Sequence, residues 1–190
     1  MARWQPGTRG RLQDAALDLF VSRGYEQTTA ADIAAAVGLT ERTFFRHFAD
    51  KREVLFDGQE MLGAAFLRGI DESPDGATPW ELIEAAIASA ATVFTDEMRP
   101  RSRRRQTVID QHSALQEREQ HKMSHVAAEI RDALHARGVE ETAARLAAES
   151  ASTAFAVAFA QWLRDGEERP LTEIASAVLA ELRRLATPAG

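Results

Sequence analysis

The sequence predicts an all-α protein, with a small N-terminal helix-turn-helix domain over residues 1–52 and a larger helical body over residues 53–190. Three observations carry that expectation. The chain is rich in Ala and Leu, with only 11 glycines in 190 residues and few β-branched runs. Apolar residues recur at helical spacing in segment after segment. Glycines 24, 38, 138 and 166 and prolines 79, 100 and 170 fall between those segments, where helices stop and start.

Residues 1–9 read as an arm, with Arg3, Arg9 and the following Arg11 placed to reach a minor groove or phosphates. The first helix runs from about Gly10 to Arg23, with Leu12, Ala16, Leu19 and Phe20 inward. Thr29 can cap the second helix, with Asp32 at its third position and Ile33 and Val37 one turn apart. Gly38 supplies the left-handed backbone that ends a helix, Leu39 fills the corner, and Thr40 caps a third helix, Glu41 to Phe48. Helix, glycine turn and helix form the helix-turn-helix signature.

At about 100° per residue, Glu41, Phe44, Phe45 and Phe48 share one side of the third helix and Arg42, Thr43, Arg46 and His47 the other. The phenylalanines are expected to bury. The second set forms a polar tip carrying two guanidinium groups. A major groove admits one helix; there Arg can bond guanine O6 and N7 and Thr can touch a thymine methyl. Lys51, just past the helix, suits a phosphate.

The stretch from Gly7 to Phe56, which contains TAADIAAAVGLTERTFFRHFADK, resembles the DNA-binding domain of the TetR family of bacterial transcription regulators. The remainder resembles that family in length and helical style. The resemblance implies base contacts from Thr40, Arg42, Thr43 and Arg46, and backbone contacts from Thr29, Phe45, His47 and Lys51. Family members commonly carry Tyr where Phe45 stands, so a phosphate bond from a hydroxyl is missing there. The resemblance also implies a C-terminal ligand-binding and dimerisation domain and a small-molecule inducer. Candidate lining residues are Phe66, Trp80, Phe94, Met123, Phe155 and Trp162. An apolar, aromatic lining favours a hydrophobic ligand.

In the body, Asp50 and Glu53 start a fourth helix with Val54, Leu55, Leu62, Phe66 and Ile70 on its apolar face, a linker that Gly58, Gly63 and Gly69 are expected to let bend. Thr78-Pro79-Trp80-Glu81 is a strong helix start, and its apolar repeat continues to about Met98. After Pro100 the chain is dense in arginine: Arg101, Arg103, Arg104 and Arg105 follow Arg99, and the acidic body is their expected partner, with DNA the sharper alternative. Ser113 and Gln116 resemble a capping box for a helix reaching Arg137. On it, Glu117, His121 and His125 repeat every four residues; without a third anchored ligand no metal is expected. The helix from about Glu140 to Arg164 is apolar almost all round between Ala151 and Leu163, more than one chain can cover. The last helix spaces Leu171, Ile174, Val178, Leu182 and Leu185 as a coiled-coil-like seam. A homodimer follows, with Phe155, Phe159, Ile174, Val178 and Leu182 at the interface. The tail Ala186 to Gly190 is expected to fray.

The net charge of −6 hides an asymmetry: residues 1–52 hold eight basic and six acidic side chains, +2, which leaves −8 for the rest. That fits a basic head on double-stranded DNA and an acidic body. Two heads related by a twofold axis would read an inverted repeat with half-sites about 34–36 Å apart. Cysteine is absent, which excludes thiol chemistry. No nucleophile motif or phosphate loop argues for an enzyme or a cofactor. An adaptor built on the dimer bundle is the competing non-enzymatic reading. The start lacks a signal-peptide stretch and no segment reaches the roughly 20 apolar residues of a membrane span, so a cytoplasmic protein without a membrane partner is expected.

Overall fold

A computed structural model describes residues 7–186, for Gln59 the backbone alone. Arg3 and residues 187–190 lie outside the described residues. Among those described the secondary structure is helical throughout, and no helix is long and apolar enough to cross a membrane. The chain forms two compact units. One comprises the residues up to Asp57 together with Arg103–Glu117; the other comprises Gly58–Ser102 and the residues from Arg118 on. The compact units part at 57/58, and a second, distant segment joins the first unit.

The first unit contains α1 (Thr8–Arg23), α2 (Ala30–Ala36), α3 (Glu41–Phe45) and α4 (Glu53–Phe56), with the second part of α7 (Arg99–Asp110) and the first turn of α8 (Ser113–Ala136). Leu12, Ala16 and Phe20 of α1 meet Ile33 of α2, Phe44 and Phe48, and Phe56 of α4 in one core, which Val108, Ile109 and Leu115 complete. The last three were invisible as head residues in sequence because some fifty residues separate them from α4. Each large side chain in such a core contributes about 1.5–3 kcal/mol through burial.

The expected continuous helix from Glu53 to Ile70 is broken. Asp57 is extended, and Gly58 takes φ +96°, a conformation that Cβ-bearing residues rarely adopt. The Asp57 carboxylate accepts from Arg9 Nε at 2.8 Å and Gln13 Nε2 at 2.7 Å. Those bonds tie the residue after α4 to α1, so α4 stops after one turn. As expected, Asp50 accepts from the backbone N–H groups that open α4, Arg52 at 2.7 Å and Glu53 at 3.1 Å.

The second unit contains α5 (Gln59–Asp71), α6 (Pro79–Ala91), a 3-10 turn (Asp96–Met98), the start of α7, most of α8, α9 (Glu141–Trp162) and α10 (Leu171–Ala186). Thr78 and Glu81 close the predicted capping box on α6. The predicted box on α8 does not form: Gln116 Nε2 donates to the Asp110 carbonyl at 2.6 Å. Helix α6 ends at Ala91, short of the expected Met98. Gly69 of α5 lies against α6, where a Cβ would stand 2.3 Å from the Ala85 carbonyl oxygen. Its value is close backbone approach and not the flexible linker that its helix propensity suggests.

Candidate nucleic-acid interface

The corner between α2 and α3 is built by local bonds. The Thr29 hydroxyl accepts from Asp32 N at 3.1 Å, and the Asp32 carboxylate accepts from Thr29 N at 2.9 Å. This reciprocal cap occupies two free donors at the start of α2. It also holds the Asp32 carboxyl below its usual range, first through the Thr29 hydroxyl and then the Thr29 backbone N–H. At the other end Leu39 N donates to Ala34 O at 2.9 Å and Gly38 N to Ala35 O at 3.0 Å, with Gly38 at φ +72°. These are the two bonds of a Schellman motif, and Leu39 packs on the core beneath it. Thr40 then caps α3 by accepting from Thr43 N at 3.3 Å, while its hydroxyl lies 3.0 Å from that of Thr43.

Helix α3 is shorter than the sequence suggests. It ends at Phe45, and a hydrogen-bonded turn through Arg46 and His47 carries the chain to Phe48. Phe44 and Phe48 are buried, with ring centroids 5.5 Å apart. Phe45 is not: it is 51% exposed, and its ring meets that of Phe44 edge to face with centroids 5.4 Å apart. An i, i+4 pair is all the core a one-turn helix can reach, so the third phenylalanine faces water. Arg42 and Arg46 are exposed, and Thr43 and His47 are half-buried. Neither arginine makes a side-chain hydrogen bond or ion pair with another described residue.

Other basic residues expected at DNA are engaged within the unit. Lys51 Nζ donates to Tyr25 O at 2.8 Å and Thr28 O at 3.1 Å, and lies 4.3 Å from the centre of the Tyr25 ring. It ties the α1–α2 loop to the segment after α3. Burial pushes the Tyr25 hydroxyl up to about 12, which keeps it neutral. Arg11 donates to the Val37 carbonyl at 2.7 Å, satisfying the end of α2, and Arg9 is held by Asp57.

The arginine cluster on α7 is also internal. In the second unit Arg99 donates to Asp96 at 2.5 Å, to the Arg169 carbonyl at 2.6 Å and to the Glu167 carbonyl, and its guanidinium stands 5.0 Å from the centre of the Trp162 ring. In the first, Arg104 pairs with Asp18, and Arg105 donates to the Leu55 carbonyl at 2.5 Å.

The residues expected to line a ligand site are partly assembled. Phe66 lies 5.2 Å from Phe155 by ring centroid, and Phe94 lies 6.1 Å from both Phe155 and Trp162. Phe159 joins them, 4.8 Å from Phe94. Met123 packs on the same core without a ring partner, and Trp80 faces Arg183 at 5.7 Å. Of the residues expected at a dimer contact, two are fully covered within one chain. Phe155 and Ile174 are buried inside their own unit, and Phe159, Val178 and Leu182 pack on that same core. On α10, Leu171 and Ile174 are buried against α6 and α9 of the same chain, Val178 and Leu182 are half-buried, and Leu185 is exposed.

The comparisons agree with this geometry. Residues 12–57 match the model of the bacterial regulatory proteins of the tetR family. The chain is 43% identical over 80 residues to the transcriptional regulator TcmR of Streptomyces glaucescens, covering 42% of this chain and 35% of that protein. In fold it is similar to SmeT, described as the repressor of the Stenotrophomonas maltophilia multidrug efflux pump SmeDEF (TM-score 0.61, 20% identity, 94% and 90% of the two chains). It is also similar to Thermus thermophilus FadR, solved in complex with lauroyl-CoA (TM-score 0.54, 20% identity, 96% of each chain). The capped helix-turn-helix of residues 12–57 is thus of the tetR-family type, and the chain as a whole shares its fold with those solved structures.

Proposed function

We propose that the chain is a dimeric repressor, acting in the cytoplasm, that a small hydrophobic inducer releases from an inverted-repeat operator. One observation carries the reading: on α3 and the turn after it, anchored from beneath by Phe44 and Phe48, Arg42 and Arg46 stand exposed and without a side-chain partner among the described residues. Their guanidinium groups read guanine edges, and Thr40 and Thr43 sit beside them. The exposed Phe45 ring contacts a thymine methyl or the sugars, a role an aromatic ring serves without a hydroxyl. Thr29 and His47 flank the phosphates.

Helix α9 supplies the dimer contact in this reading. Leu146 is 64% and Val157 51% exposed, and Thr153, Ala156 and Ala160 are exposed on the same side. Positions 146, 153 and 160 recur every seven residues, and the small side chains admit a second helix closely. Val157→Glu is expected to yield monomers in a sedimentation run. Val178→Glu, aimed at its own core, is expected to lower the melting temperature first.

The inducer occupies the neighbourhood of Phe66, Phe94, Phe155 and Trp162. It acts by binding the state that does not hold DNA more tightly than the state that does. A gel-shift experiment with the DNA upstream of the protein's own gene tests the reading. Binding should need both half-sites and weaken steeply with salt. Failure to select any sequence from a random pool would leave the adaptor reading in its place.

A further inference from the structure

Helix α8 carries two imidazoles that the DNA reading does not use. His121 and His125 are exposed and one turn apart, with Nε2 atoms 3.2 Å from each other, ring centroids 4.6 Å apart and planes at 82°. As they stand, one Nε2–H donates to the lone pair of the other. Two nitrogens held about 2.0–2.1 Å from one tetrahedral ion lie about 3.3 Å apart. The observed spacing is therefore already the bite of a chelate, and the i, i+4 placement on one helix face is what sets it.

We propose that His121 and His125 form a two-point binding site for a borderline divalent transition metal ion. Both Nε2 lone pairs turn to the ion, and the ring that now donates moves its proton to Nδ1, so neutral imidazoles release no proton. Glu117 and Glu129 lie one turn to either side on the same helix and are exposed. Among the described residues, however, no group of three or more ligating side chains is gathered. The site is thus a bidentate chelate whose remaining positions water fills. Imidazole nitrogen suits Cu²⁺, Ni²⁺ and Zn²⁺, with Cu²⁺ held most tightly and the oxygen-seeking Mg²⁺ and Ca²⁺ excluded. Because the helix pre-sets the spacing, binding stabilises the folded state and raises the melting temperature as metal is added.

Calorimetric titration of the full-length protein with Ni²⁺ and with Zn²⁺, beside thermal melts in each metal and in Mg²⁺, tests the site. One ion per chain should bind and raise the melting temperature, and Mg²⁺ should do neither. His121→Ala and His125→Ala should each weaken binding by about tenfold or more, since losing a ligand costs at least as much as losing a group that orients one. The double variant should fall little further, because either half alone is no longer a chelate. His135→Ala, on the same helix, should bind as the parent does. Parent-like affinity in the double variant would overturn the proposal. So would single variants that each keep full affinity for the remaining imidazole. DNA binding does not enter this measurement, so the proposal stands or falls apart from the reading of α3.

Discussion

Two arginine-bearing regions of this chain invite the same interpretation and differ in what surrounds them. The start of α7 holds five arginines within seven residues, and α3 with its following turn holds two. Density alone would send DNA to α7. Yet Arg99, Arg104 and Arg105 bond to carboxylates and to backbone carbonyls of their own units, whereas Arg42 and Arg46 have no such partner among the described residues. Arg99 also answers the problem of cations at a helix N-terminus. Its side chain turns back to Asp96 and to the loop at 167–169 and away from the helix's free N–H groups. A basic side chain is available to a phosphate or a base only when the fold leaves it unclaimed.

Arg99→Ala offers the sharpest break in that comparison. Hydrogen bonds to a charged group are worth about 1.5–3 kcal/mol each, and this residue is buried with three acceptors. Thermal melts should show a large loss of stability, and the folded fraction should bind operator DNA normally. An unchanged melting temperature with weakened DNA binding would reverse the two regions' roles.

Arg42→Ala should do the opposite. It should cost about 1–3 kcal/mol at the matched base pair and relax specificity there, with the melting temperature unmoved. An equal loss on operator and scrambled DNA would remove the base-reading role.

Lys51 lies between the two cases. As a phosphate contact, its replacement by Ala would weaken all sequences alike and reduce the salt slope by about one. As a bridge between two carbonyls and the Tyr25 ring, its loss should instead cost stability, about 1.5–3 kcal/mol for bonds from a charged donor. We expect the second outcome, read from the salt dependence of affinity beside the melting temperature.

The smallest effect concerns carboxylates at turns and helix starts. Bonds from the Arg169 side chain, then its backbone, hold the Glu167 carboxyl at about 2, and the Thr78 and Thr142 backbone N–H groups lead in lowering Glu81 and Glu140. Carboxyls depressed by folding contribute stability above their unfolded value of 4.5 and lose it as the pH falls below that value. Melting temperatures should fall modestly between neutral pH and pH 3. In Glu81→Gln that fall should be shallower.

The head was largely legible from sequence. Thr29, Asp32, Gly38 and Thr40 act on backbone groups within a few residues, and a cap or a Schellman turn needs no distant partner. The side assignment of Phe44, Phe48, Arg42 and Arg46 followed from helical phase alone. Phe45 escaped it because phase orders residues by angle and does not tell how wide a stripe a one-turn helix can bury. In the body, the apolar repeat of α10 was read as an intermolecular seam. A period records that a face is apolar and not which chain covers it, and α6 and α9 of the same chain cover its first part, Leu171 and Ile174, here.

From the amino-acid sequence alone came the capped starts of α2, α3 and α6, the glycine corner and the outward set on α3, all products of interactions reaching five residues or fewer. Tertiary structure alone decided which cations are claimed, where Asp57 and Gly58 part α4 from α5, why Gly69 bears no side chain, and that residues 103–117 complete the head's core. Each of these depends on atoms brought together from distant stretches of chain, and local propensity holds no record of them.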